Sequence, residues 1–272
     1  MRISFEVFPP KITDGIEKIY ACLDGLASLK PDFISVTYSA GNAQKGLTAE
    51  VCGCIQKDFG VKAVSHITCA GATKEKLLHE LQRLKEQGTD TLLALRGDLV
   101  AGKKIISYPH ATDLIEEIER FGGFTVCAAC YPDGHPESGS IYDDVTTLKR
   151  KYDLGVRTFL SQLFLDNADF LRMRDRAARS GIDAEFAAGI MPVTSAPSLI
   201  RMVSLSGAKI SAPVKEMIEK YGEDKAAMKQ AGLEYAVEQI VSLRENGCEH
   251  VHLYTMDNAA NATFICKSAG LA

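Results

Sequence analysis

Eight short apolar runs, each closing on polar or charged residues, punctuate this chain: RISFEVF, DFISVTY, KAVSHITC, TLLALRGD, FTVCAACY, TFLSQLFL, AEFAAGIM and HVHLYTM. Several are apolar on both faces, as strands must be when helices cover one side and a barrel interior the other. Between them, stretches such as KEKLLHELQRLKEQG and DFLRMRDRAARSG place apolar residues at a spacing of about 3.6. These stretches stop on Gly88 and Gly181, where a helix ends readily. The alternation predicts an α/β protein, a parallel (β/α)8 TIM barrel whose polar strand ends converge on one mouth.

At 272 residues the chain matches one such barrel, so a single domain over 1–272 is expected. The interval between Met191 and His250 is too long for one crossover. It predicts extra helices between strands 7 and 8, with KEMIEKYG and EYAVEQIVSLRENG among them. They form a cap, offer an oligomer surface, or pack on the barrel's own helices; a homo-oligomer is expected. A net charge of -4 excludes general attraction to nucleic acid or anionic membrane. No apolar stretch approaches the roughly 20 residues of a membrane span. The N-terminus opens on strand-like sequence, and a cytoplasmic protein is the simplest reading. Of the eight cysteines, Cys127 and Cys130 have redox or metal spacing but fall inside a strand-like run. Residues three apart on a strand point to opposite faces, so buried thiols are the preferred reading and no metal is expected.

In ISFEVFPP, Glu6 sits among Phe5, Val7 and Phe8, where an ionised carboxylate is costly unless paired or functional. Asp98 closes the fourth run. The other strand ends collect Thr37, His66, Arg96, Tyr131 with His135, Gln162 and Tyr254. YPDGHPES reads as a structured loop, and DDVTTLKRKYDLG puts Asp144, Thr147 and Lys151 on one helical side with Arg150 close by. A basic cluster of this kind either contacts phosphate or is a solvated face.

Taken in order, FEVFPPK, VTYSAGN, HITC, ALRGD, YPDGHPE, LKRKYDLG, SQLFLD, GIMPV and HLYTM resemble the methylenetetrahydrofolate reductase family across nearly the whole chain. The resemblance implies a flavoprotein that reduces 5,10-methylenetetrahydrofolate to 5-methyltetrahydrofolate through FAD, with NADH or NADPH as donor. It assigns catalysis to Glu6, as the acid, and to Asp98. It lines the flavin with Thr37, His66, Leu95, Arg96, Gly97, Asp98, Ala129, Tyr131, His135, Asp144, Arg150 and Lys151, the last two toward its diphosphate. Glu6, Asp98, Gln162 and Tyr254 fall where the family binds folate.

Two stretches depart from the family pattern. Many members carry an aromatic after the seventh strand, but Val193-Thr194-Ser195-Ala196 offers no ring. After the eighth strand, Met256-Asp257-Asn258 lacks the family's arginine and brings an acid instead. An electron-donating partner protein is therefore an alternative to the nicotinamide nucleotide. A folate- or flavin-binding subunit without turnover is a third reading.

Overall fold

The computed structural model describes residues 1–10, 16–38, 47–97 and 107–272. Eight strands appear there: β1 (Arg2–Val7), β2 (Ile34–Val36), β3 (Ala63–Thr68), β4 (Thr91–Leu95), β5 (Thr125–Cys130), β6 (Thr158–Ser161), β7 (Glu185–Ile190) and β8 (His250–Tyr254). They form a closed barrel in chain order, and β1 pairs in parallel with both β2 and β8. Helices α1 (Glu17–Ala27), α2 (Leu47–Phe59), α3 (Lys74–Glu86), α4 (Ala111–Phe121), α5 (Ile141–Asp153) and α6 (Asn167–Arg179) follow the first six strands. Then α7 (Ala196–Ser206), α8 (Ala212–Tyr221) and α9 (Lys225–Glu245) lie between β7 and β8, and α10 (Ala259–Ser268) closes the ring. The structure is thus the expected (β/α)8 barrel with extra helices between strands 7 and 8.

Two apolar layers hold the barrel. Phe5, Ile34, Leu92 and Phe159 point outward and pack under Leu23, Leu81, Leu114 and Ile240 of the helices. Phe33, Val64, Leu93, Cys127, Leu160 and Ala187 fill the interior. Each fully buried Val, Leu, Ile or Phe among them contributes about 1.5–3 kcal/mol. Cys127 belongs to the inner layer and Cys130 to the outer, so strand geometry separates the two thiols.

The extra helices divide their work. A third cluster joins Leu163, Leu165, Met191 and Val193, which follow β6 and β7, to Leu199 of α7, Val214 of α8 and Met228 of α9. Further along, α9 contributes Leu233, Ala236, Ile240 and Leu243 to the main core, as an ordinary barrel helix does. The interval therefore supplies both a cap over two strand ends and one regular crossover helix.

Candidate active site

Strand alternation decides which side chains reach the mouth. Because Val64, Leu93 and Cys127 face inward, so do His66 and Thr68, Leu95, and Ala129. Ser4 touches His252, and His252 stacks on the inner Phe33, which places Ser4 and Glu6 of β1 and His250, His252 and Tyr254 of β8 on the same inner face. Glu6 and Tyr254 are paired neighbours in the register.

Glu6 lies at the floor of this mouth with its side chain 13% exposed. Its Oε2 is 3.5 Å from His66 Nε2 and 3.8 Å from His252 Nε2. Burial raises the Glu6 carboxyl above the usual carboxylate range, and His66 opposes this only in part. Burial likewise drives His66 down to about 4 and His252 down to about 3. Both rings are therefore neutral near pH 7, and neither contact is an ion pair despite its length. Desolvation without a cation favours the protonated form of Glu6, the form a general acid requires.

Around Glu6 the frame is tied down. Thr255 Oγ1 donates to the Glu6 carbonyl at 2.6 Å, and Tyr254 donates its hydroxyl to the Ser161 carbonyl at 2.6 Å. Gly189 makes room for that bond, since a Cβ there would run into the Ser161 carbonyl and lie 2.8 Å from Tyr254 Oη. Gly189→Ala is expected to cost about 1–3 kcal/mol by overpacking. Urea denaturation measures it, and an unchanged midpoint would show that β6 and β7 yield to the added methyl. Asp257, the acid of the departing stretch after β8, accepts the Phe8 amide at 2.9 Å. It fastens the β8 loop to the end of β1, with Met256 and Asp257 both held at positive φ.

Beside the mouth, a cavity of about 540 Å³ opens between the ends of β4 and β5 and the helices α4 and α5. Leu95, Arg96, Ala129, Tyr131, His135, Asp144, Arg150 and Lys151 all border it. Arg96 forms a two-point ion pair with Glu137, one arm at 3.0 Å. Asp144 holds the preceding loop by accepting Ser138 Oγ at 2.6 Å and the His135 amide at 3.3 Å. The Glu137 amide donates to His135 Nδ1, and burial lowers the His135 pKa, so its Nε2–H remains as a donor. Lys151 is buried, donates to the Ala129 carbonyl at 2.8 Å, and is lowered to about 8 by desolvation. Its remaining hydrogens are available to a ligand.

The basic run of α5 thus splits three ways. Lys149 pairs with Asp153 along the helix, Arg150 reaches Glu116 of α4 at 3.3 Å, and Lys151 turns inward. Gly97, just past β4, has φ +78, and a Cβ there would meet Thr68 Cβ at 3.0 Å. Thr37 donates its amide to the Val7 carbonyl. Gln162 Oε1 accepts the Leu163 amide at 2.8 Å. Glu6, His66, Gln162 and Tyr254 stand at the mouth, apart from the lining of the cavity. Asp98 lies outside the described residues. Ala196 is buried in the α7–α9 cluster, so the ring missing from the sequence would have no open space at this position. The sequence reading missed Ser4, Ser35 and His252; the alternation Ser-x-Glu in β1 and His-x-His-x-Tyr in β8 was the available signal.

A parallel barrel with a buried carboxyl at its mouth and a cavity beside it is the layout of a TIM-barrel enzyme. The model of the family "Methylenetetrahydrofolate reductase" matches residues 1–270, and the chain belongs to that family. The 5,10-methylenetetrahydrofolate reductase of Pectobacterium carotovorum is 34% identical over 273 residues, covering 100% of this chain and 91% of the relative. That of Escherichia coli is 32% identical over 271 residues, with the same coverage of 100% and 91%. The protein called methylenetetrahydrofolate reductase (NADH) 1 from Arabidopsis thaliana is 31% identical, over 98% of this chain but 48% of its own length. Among solved structures, an uncharacterized protein from Clostridium thermocellum, described as binding two copies of 5-methyl-5,6,7,8-tetrahydrofolic acid, superposes with TM-score 0.71. It covers 99% of this chain and 94% of its own, and at 13% identity it speaks for the fold alone.

Proposed function

We propose that this chain reduces 5,10-methylenetetrahydrofolate to 5-methyltetrahydrofolate as one FAD-binding catalytic domain over residues 1–272, with NADH or NADPH as electron donor. The observation that carries the reading is the largely buried Glu6 carboxyl at the barrel mouth, its pKa raised by burial, next to a cavity of cofactor size. The residues fit a flavin. The cavity gathers Arg96, Tyr131, His135 and Lys151, and the buried His66 Nε2 and Thr68 Oγ1 have no hydrogen-bond partner within the protein. Arg150 and Lys151 are assigned to the diphosphate end, and Thr37, His66, Leu95, Gly97 and Ala129 to the isoalloxazine end. When bound, the flavin supplies the hydride.

The chain's own residues do the rest. Glu6 gives its proton to the substrate as the bond between N10 and the methylene carbon breaks, leaving an iminium at N5 that takes hydride. Gln162 and Tyr254 orient the pterin, and Asp98 is assigned to its donors and to charge balance near the flavin. Anaerobic spectroscopy tests the whole reading. FAD-loaded protein is expected to bleach with NADH or NADPH and to recover its yellow colour with methylenetetrahydrofolate. Failure of folate to reoxidise reduced protein would overturn it. The absence of a ring at Ala196 favours one variant, in which a partner protein reduces the flavin; bleaching by dithionite but not by NADH or NADPH would select it.

Lys151 makes flavin binding pH-dependent. In the free protein its amine is charged only below about 8, so above that pH an anionic cofactor must bind together with a proton. Affinity is expected to fall as pH rises from about 7 to 9.5. Lys151→Met should bind roughly tenfold more weakly at pH 7, by loss of a charged hydrogen bond, and with a flatter pH dependence. Flavin fluorescence titration measures both, and a pH-independent wild type would place Lys151 away from the phosphates.

A further inference from the structure

Beneath Glu6 a row of buried polar groups runs down the barrel interior, and the chemistry above makes no use of it. At its lower end Glu185, the first residue of β7, is held by Arg2 Nη2 at 2.6 Å and hydrogen-bonded to His250 Nδ1. His250 Nε2 lies 2.9 Å from Ser4 Oγ, which lies 2.7 Å from His252 Nδ1. His252 Nε2 faces Ser35 Oγ at 3.4 Å and Glu6 Oε2 at 3.8 Å. Ser4, Ser35 and His252 have no solvent exposure.

Donors and acceptors along this row follow from its lower end when His250 carries a single proton. Burial alone would raise the Glu185 carboxyl, but the His250 hydrogen bond and Arg2 hold it below the usual carboxylate range. As an anion it accepts the Nδ1–H of His250. With one proton on His250, its Nε2 keeps only a lone pair, so the Ser4 hydroxyl donates to it. The Ser4 oxygen in turn accepts from His252, which places that ring's single proton on Nδ1. His252 Nε2 is left with a lone pair, directed at the Ser35 hydroxyl and at Glu6. At 3.8 Å that lone pair disfavours an ionised Glu6 by repulsion and leaves a protonated one undisturbed.

We propose that His250 carries a single proton, given to Glu185, and that Ser4, backed by this pair, is a positioning residue that locks His252 in the Nδ1–H tautomer, its lone pair facing Glu6 and favouring the neutral acid form. The proposal rests on the reading of Glu6 as the acid. The other groups facing Glu6 are His66 from β3, Tyr254 from β8 and Asp257 from the loop beyond. Neutral His66, the Tyr254 phenol and the Asp257 carboxyl supply no cation to stabilise an anion there.

Carboxyl NMR of the full chain labelled with ¹³C-glutamate, with the Glu6 signal assigned by its loss in Glu6→Gln, reads the effect without turnover. Ser4→Ala frees His252 to move its proton to Nε2 and donate to the Glu6 carboxylate. The Glu6 acid dissociation constant is expected to rise about tenfold, one pKa unit. Ser4→Thr keeps the hydroxyl and is expected to titrate like wild type. Imidazole ¹⁵N shifts should show His252 unprotonated at Nε2 in wild type and protonated there in Ser4→Ala. A wild-type His252 with its proton on Nε2 overturns the lock and decides the matter even if Ser4→Ala does not fold. An unchanged or raised Glu6 pKa in Ser4→Ala overturns it as well. Near-normal folate turnover by Glu6→Gln would remove the acid reading and leave these titrations as they are. An inactive Glu6→Gln beside an unmoved titration would remove the lock alone.

Discussion

Glu6→Gln is expected to fold, hold flavin and accept electrons within a few-fold of wild type, while methylenetetrahydrofolate turnover falls by about 10²-fold or more, as for loss of a general acid. The amide keeps the shape of the carboxyl and removes the proton to be given. Stopped-flow measurement of the two half-reactions separates these effects, and folate turnover near wild type would eliminate Glu6 as the acid. Stability supplies a second readout. The folded-state pKa of Glu6 is raised, so its contribution is present at low pH and is lost as pH rises through that value. Glutamine has no such loss. The melting temperature of Glu6→Gln relative to wild type should therefore climb with pH, and a difference that is flat with pH would mean that burial leaves Glu6 untouched.

The barrel was legible because each strand is covered on both faces and each helix on one, which writes two different periods into the sequence. Eight apolar runs became eight strands, and even the long interval before His250 resolved as added helices. The ends were less legible. TFLSQLFL reads as one strand, yet β6 stops at Ser161, because Gln162 folds back onto the Leu163 amide and Leu163 and Leu165 pack under α7 and α8. Within the basic run of α5, periodicity with Asp144 and Thr147 picks out Lys151 as the inward residue, while Arg150 serves a bridge to α4.

What the sequence hid were contacts made only by closure. Ser4 and His252 are 248 positions apart and meet because β8 pairs with β1. Glu185 and His250 meet across neighbouring strands in the same way. Parity along β1 and β8 says which residues face inward, but only the closed register says which stand side by side. Asp257 is another such contact: its carboxylate accepts the Phe8 amide at 2.9 Å across the same β1–β8 closure.

The buried rings beside Glu6 make the fold sensitive to acid. His66 titrates at about 4 and His252 at about 3 in the folded protein, against about 6.5 when unfolded. Both folded values are depressed, so the stability they confer is complete above about pH 6.5 and is lost as pH falls, because the unfolded chain takes up protons that the folded one refuses. At about pH 5 each ring has cost roughly 2 kcal/mol, and the pair about 4, a large share of a total that runs to about 5–15 kcal/mol. The loss at this pH depends little on the depth of either shift, since both folded values lie below it. Urea denaturation at pH 7.5 and about 5 should show the drop, and His66→Gln or His252→Gln should each reduce it by about half. Glu6 pulls the other way, taking up a proton more readily when folded, so the acid loss should be steeper in Glu6→Gln than in wild type. Equal stability at the two pH values, or glutamine variants that lose as much as wild type, would show that the two rings are not held neutral inside the barrel, and the absence of a cation beside Glu6 would lose its support.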